Sequence, residues 1–163
     1  MHQTYVQKIY LILRKSALSR DIKSTVIRLL ANREHSLKEL KDKLMLRDYD
    51  PNEIALVLEF VIQHDLQSEI RYVEMVIRSR ANKGYGPGYI KDYLKQKGIK
   101  DDLISISLSE SGYNWDEIIT NVLSKKYGSN KISSTDSKAI RFMMGRGFNY
   151  QQLAKHLTDE KVK

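Results

Sequence analysis

The chain has 163 residues, 41% of them hydrophobic, with a net charge of +8, two prolines and no cysteine. That length permits one compact domain or a short repeat array, and the missing cysteine excludes a disulfide scaffold and a thiol nucleophile. The longest apolar stretch, Ile54 to Ile62, is too short to span a bilayer and contains Glu59; with no convincing cleavage signal near the N-terminus, a cytoplasmic protein is expected.

Residues 1–20 read as an N-terminal extension, with Tyr5, Ile9, Ile12 and Leu13 at helical spacing. From there a pattern recurs at a spacing of 50 residues: Leu40, Ile90 and Ile140 align, as do Leu44, Leu94 and Met144. Tyr49, Ile99 and Phe148 follow, then Ile54, Ile104 and Leu153, the third copy being one residue shorter before Phe148. Self-similarity at this period signals stacked helical repeats. The expectation is an all-α chain of three tandem three-helix units, at 21–66, 67–113 and 114–163, stacked into an elongated, curved array. A unit this small buries too little surface to stand alone, so neighbours should pack together.

Local signals place the helices. Asp21 is a candidate N-cap for the first, Ser36 with Glu39 forms a capping-box pattern for the second, and Asp50-Pro51 opens the third. The second unit starts near Ser68. Its Lys83-Gly-Tyr-Gly-Pro87 run is a breaker, because glycine reaches positive φ and proline restricts what precedes it. Gly98 is a C-cap, and Asp101 or Asp102 opens and caps the next helix. The third unit begins at Asn114-Trp115. The mostly polar residues 128–135 read as a loop, Asp136 caps the following helix, Gly145 to Gly147 end it, and Tyr150 to Leu157 form the last. No alternating strand pattern is visible.

Catalytic signatures are lacking. His2, His35, His64 and His156 form no metal-type pair at helical or turn spacing, so surface or structural roles are expected. There is no phosphate-binding glycine loop and no nucleophile elbow. No enzyme activity and no cofactor are expected.

Charge is segregated instead. Asp48 to Glu69 holds six acids and no Lys or Arg, Arg71 to Lys100 eight basic residues and two acids, and Lys125 to Lys155 seven basic residues and one acid. Such blocks suit a polyanion or a partner with its own charged groove, although a solvated surface would read the same way. In the second unit the candidate partner-binding residues are Arg78, Arg80 and Lys83 at a helix end, Lys91 and Lys95 on the next helix, and Lys97 just beyond. In the third they are Lys138, Arg141 and Arg146. Tyr85, Tyr89 and Tyr93 interleave with these basic residues, as stacking platforms for single-stranded nucleic acid do. Tyr89 and Tyr93, one turn apart, are better explained by helix packing, whereas Tyr85 sits in a turn and is kept as a site candidate.

Three segments resemble the RecX family of recombination regulators: Arg28-Leu-Leu-Ala-Asn-Arg-Glu-His-Ser36 with Glu39 to Leu44, Arg80-Ala-Asn-Lys-Gly-Tyr-Gly-Pro87 with Lys97-Gly-Ile99, and Arg141-Phe-Met-Met-Gly-Arg-Gly-Phe148. The chain departs from the family pattern at Gln67-Ser68-Glu69, where an acidic pair is usual, and at Gly145, which replaces a basic residue. The resemblance implies a regulator of the RecA recombinase, linked to DNA repair and the SOS response. It implies tandem three-helix repeats that bind in the groove of the RecA filament on single-stranded DNA, limiting filament growth, strand exchange, ATP hydrolysis and co-protease function. A monomer is expected. The competing reading is a direct DNA-binding helical module independent of RecA; a cryptic nuclease is a third.

Overall fold

The computed structural model describes residues 19–128 and 132–158, and the helix expected around Tyr5 to Leu13 lies outside them. Among the described residues the order is α1 (Arg20–Asn32), α2 (Leu37–Met45), α3 (Pro51–Gln63), α4 (Glu69–Ala81), α5 (Pro87–Gln96), α6 (Asp101–Glu110), α7 (Trp115–Tyr127), β1 (Ile132–Ser133), α8 (Ser137–Gly145), α9 (Tyr150–Ala154) and β2 (Leu157–Thr158). This is the all-α helical repeat expected from the period. No helix among the described residues is long and apolar enough to cross a membrane.

The chain divides into two compact units. The first holds the described residues up to Val73 together with Lys97–Ile99; the second holds Glu74–Gln96 together with the described residues from Lys100 onward.

In the first unit, Ile22, Val26, Leu29 and Leu30 recur at helical spacing, which turns one face of α1 inward. They join Leu40 and Leu44 of α2 and Ile54, Val57 and Val61 of α3 in one core. Ser19, not Asp21, occupies the N-cap position of α1. Asp21 lies two positions past the N-cap, inside the first turn, and its carboxylate accepts a hydrogen bond from the Tyr49 hydroxyl at 3.1 Å. Asp50 caps α3 through the Asn52 and Glu53 amides, with Pro51 at the first helical position, where no amide is needed.

Ser36 caps α2 through the Glu39 amide at 3.1 Å, but only half of the expected capping box forms. The Glu39 carboxylate turns away to Arg33 at 2.9 Å and Lys97 at 3.0 Å. Two cations satisfy a largely buried carboxylate better than one backbone amide.

In the second unit, Ile119 and Leu123 of α7, Ile132 of β1, Ala139 and Met143 of α8, Phe148 and Leu153 form one core cluster. The third copy's register therefore differs from the alignment at Ile140 and Met144: Ala139 and Met143 are buried, while Met144 is 53% exposed. The missing residue falls before α8 rather than after it. Leu40, Ile90 and Ala139 are thus equivalent, as are Leu44, Leu94 and Met143.

Three further expectations are corrected. Residues 132–135 are not open loop: Ile132 and Ser133 are buried, and β1 pairs in parallel with β2. The last helix stops at Ala154, so Leu157 belongs to β2; its start carries a complete capping box between Asn149 and Gln152. At α6 the N-cap is Lys100, without a side-chain bond. Asp101 instead sits in the first turn, where the helix dipole favours its charge, and pairs with Lys95 at 2.9 Å.

One contact recurs between equivalent residues. In the first unit the Ser36 hydroxyl donates to the Lys97 carbonyl at 2.8 Å. Fifty residues after Ser36, the Gly86 amide donates to the carbonyl of Arg146, the counterpart of Lys97, at 2.7 Å. Gly88 adds a second backbone bond, to the Gly147 carbonyl at 3.0 Å. A Cβ on Gly86 would meet the Phe148 ring and the Gly147 carbonyl, and one on Gly147 would run into the Tyr89 backbone. Gly84 and Gly147 do have positive φ, +76° and +87°, but Gly86 does not. Glycine is required at 86 by the approach of another backbone, not by φ.

Candidate functional site

The Lys83-to-Pro87 breaker folds as a tight turn between α4 and α5, closed by the Gly84 amide on the Ala81 carbonyl (2.8 Å) and the Tyr85 amide on the Arg80 carbonyl (3.0 Å). Tyr85 stacks on Tyr89 with ring centroids 4.1 Å apart. The Arg80 guanidinium lies 4.4 Å from the Tyr93 centroid and 5.9 and 5.8 Å from those of Tyr85 and Tyr89. Tyr85 and Tyr89 are thus engaged with each other, and all three rings with Arg80. Such cation–ring contacts contribute ~0.5–1 kcal/mol each at exposed sites.

The proposed basic residues divide by what they touch. Arg146 is held inside the fold: it donates to the carbonyls of Lys83 at 2.9 Å and Gly84 at 3.2 Å, and lies over Tyr85 and Phe142. Lys97 belongs to the first unit and is tied to Glu39. Burial pushes the Glu39 carboxyl up, but the hydrogen bonds from Arg33 and Lys97 outweigh it and hold the group below the usual carboxylate range. Lys95 pairs with Asp101 where both are well exposed. Arg78, Lys83, Lys91, Lys138 and Arg141 make no ion pair among the described residues. All but Lys91, which is half-buried, are exposed. These five lie in the second unit.

That unit also contains an open groove of about 850 Å³ between the end of α4, α7 and α8. Its apolar lining is Ala81, Gly84, Ile118, Val122 and Phe142, and its cations are Lys83, Lys125, Lys126 and Arg146. Glu117 is its one acid. The Lys126 ammonium sits 3.3 Å from the Phe142 ring centroid. Lys125 and Lys126 lie in a basic block visible in the sequence but escape the list of candidates. Ile118, Asn121, Val122 and Lys125 recur at i, i+3, i+4 and i+7, the spacing that would have placed them on one face of α7.

The histidines take structural positions. The His35 Nδ1 lies 2.9 Å from the Arg33 carbonyl, and burial, with the Arg33 charge, lowers its pKa. His64 stacks on Phe60 at 4.2 Å, and the His156 Nε2 lies 3.4 Å from the Asp116 carboxylate. His2 lies outside the described residues.

Two family models match the chain. Residues 23–60 match the RecX first three-helix domain and residues 68–108 the RecX second three-helix domain. Among relatives, the chain is 31% identical over 140 residues to regulatory protein RecX of Vibrio vulnificus (strain CMCP6), covering 85% of this chain and 92% of the relative. It is 34% identical over 139 residues to regulatory protein RecX of Pseudomonas putida (strain W619), covering 84% and 89%. Two crystal structures share the fold, each with a TM-score of 0.67. RecX from Lactobacillus salivarius is 24% identical, covering 81% of this chain and 89% of that one. A second regulatory protein RecX is 20% identical, covering 82% and 68%.

Proposed function

Because this chain belongs to the RecX family of regulatory proteins, we propose that it regulates the RecA recombinase by binding the RecA filament on single-stranded DNA, limiting ATP hydrolysis, strand exchange and co-protease activity. It does so as a non-catalytic, monomeric binding protein in the cytoplasm. The observation that carries this reading is the group of second-unit cations without acidic partners among the described residues, Arg78, Lys83, Lys91, Lys138 and Arg141, on a chain similar to RecX proteins over most of its length. Cations left unpaired within a fold are available to an anionic partner, and they raise its rate of encounter. A filament adds repeated sites, so linked helical units gain affinity through effective concentration.

The test is RecA ATPase on single-stranded DNA, with the chain at stoichiometric concentration. Inhibition is expected, and Lys91→Glu with Lys95→Glu should raise the concentration needed by about tenfold while circular dichroism keeps its helical signal. Absence of inhibition by the unaltered chain would sink the reading. If the chain instead binds naked DNA with steep salt dependence and leaves RecA unaffected, the direct DNA-binding alternative takes its place.

A further inference from the structure

The groove in the second unit combines an apolar floor with a cationic rim. Ile118 and Val122 of α7 are half-buried and lie beside Phe142, while Lys83, Lys125 and Lys126 are exposed around them. Asn82 and Asn121, also exposed in the lining, each offer an amide donor and acceptor, which pair well with peptide groups.

Two classes of anionic partner could meet such a rim, and the lining distinguishes them. Single-stranded nucleic acid needs ring faces on which bases stack. Here Phe142, the nearest ring, has the Lys126 ammonium 3.3 Å and the Arg146 guanidinium 4.8 Å from its centroid. Tyr113, at the groove's edge, lies against Trp115 at 5.7 Å. The remaining floor is aliphatic, and Glu117 would repel a continuous run of phosphates. A peptide meets none of these objections. Leucine-like side chains fit Ile118 and Val122, carboxylates reach the lysines, and a single donor satisfies Glu117.

We infer that this groove receives an acidic, amphipathic peptide segment of a partner protein. The inference deepens the reading above and rests on it, since a regulator that docks on a protein filament needs a place to hold a protein segment.

The test uses the full chain, labelled with nitrogen-15, and a short synthetic peptide of alternating aspartate and leucine, with oligothymidylate as the competing probe. Trp115 is the chain's one tryptophan and touches Tyr113, so its fluorescence gives a second readout. The peptide is expected to shift the amide resonances of Asn121, Lys125 and Phe142 saturably. Lys125→Glu with Lys126→Glu should weaken its binding about tenfold, and the milder Lys125→Gln with Lys126→Gln should do so by a smaller factor. Arg28→Glu with Lys41→Glu, an equal change of charge in the first unit, should leave binding unaltered. The inference is overturned if the peptide leaves the groove amides unmoved, if both charge reversals weaken it equally, or if only oligothymidylate shifts those amides. Lost peptide binding with RecA inhibition intact removes the groove and spares the functional reading. Saturable peptide binding without RecA inhibition does the opposite.

Discussion

The same contact is built twice in this chain from different chemistry. In the first unit, the turn before α2 meets Lys97 through a hydroxyl, and the buried Glu39 carboxylate binds the partly exposed Arg33 and Lys97 in an ionic knot. In the second unit, the turn before α5 meets Arg146 and Gly147 backbone to backbone, and Tyr89 stands where Glu39 stood. Equivalent positions in a repeat therefore share geometry without sharing interactions. A serine and a glycine can perform one task because each presents a donor to the equivalent carbonyl. The basic residue of the partner turn is conserved in kind but not in use: Lys97 neutralises an acid, whereas Arg146 binds two carbonyls.

The largest effect should come from placing a methyl group in the backbone joint. Gly147→Ala combines a left-handed φ with a collision against the Tyr89 backbone, so unfolding in urea should show a loss of about 3 kcal/mol or more. Its counterpart Gly98→Ala has a similar φ of +81°, but its Cβ would meet only the Lys38 side chain, at 3.2 Å. Lys38 need give by only a few tenths of an ångström there, which leaves mainly the φ strain, about 1–2 kcal/mol. Equal losses at the two glycines would mean that the backbone approach is not what distinguishes the joints.

The ionic joint should respond to charge and salt. Glu39→Gln keeps the shape of the side chain but leaves Arg33 and Lys97 without their carboxylate. With those cations 42% and 31% exposed, water screens part of the penalty, and a loss of roughly 1–2 kcal/mol is expected. The difference from the parent chain should shrink in high salt. A Glu39→Gln variant as stable as the parent at low salt would show that the knot contributes nothing.

The smallest effect is a pH dependence. Burial and Arg33 lower the pKa of His35 from 6.5, so the folded chain binds fewer protons there than the unfolded one. Its contribution is complete above pH 6.5 and is lost as pH falls from that value through the folded pKa. His35→Gln should flatten the stability curve in that window. The two carboxyls nearby act lower on the pH scale and in opposite directions. Glu69, raised by burial, favours the fold as pH falls towards 4.5; Glu39, lowered by its cations, stops contributing as pH falls from 4.5 through its folded value. An unchanged slope in His35→Gln would remove His35 as the source.

The helical period, the caps at Asp50 and Asp136, and the breaks at Gly84, Gly98 and Gly147 were legible because each is a local signal with a local cause. The register of α8 was not: Ile140 is more apolar than Ala139, and Met144 matches Met143, so hydrophobicity alone pointed to the wrong pair. The pairing of β1 with β2 joins residues 25 apart, Ile132 with Leu157, in runs too short to show alternation. At the candidate site, Arg80, Lys95, Lys97 and Arg146 looked like Arg78 and Arg141 in the sequence, because composition does not reveal whether a cation already has a partner. Lys125 and Lys126 were visible as charges, but their place beside a groove depends on α8 and the turn at Gly84.

Peptide amides have no net charge to be shielded and no rotamers to exchange. The seam between Gly86 and Gly147 should accordingly keep one spacing in brine and in dilute buffer alike. It acts as a fixed gauge for the lysines and arginines mounted on either side of it, so that salt can alter how strongly those charges attract without altering the distances between them.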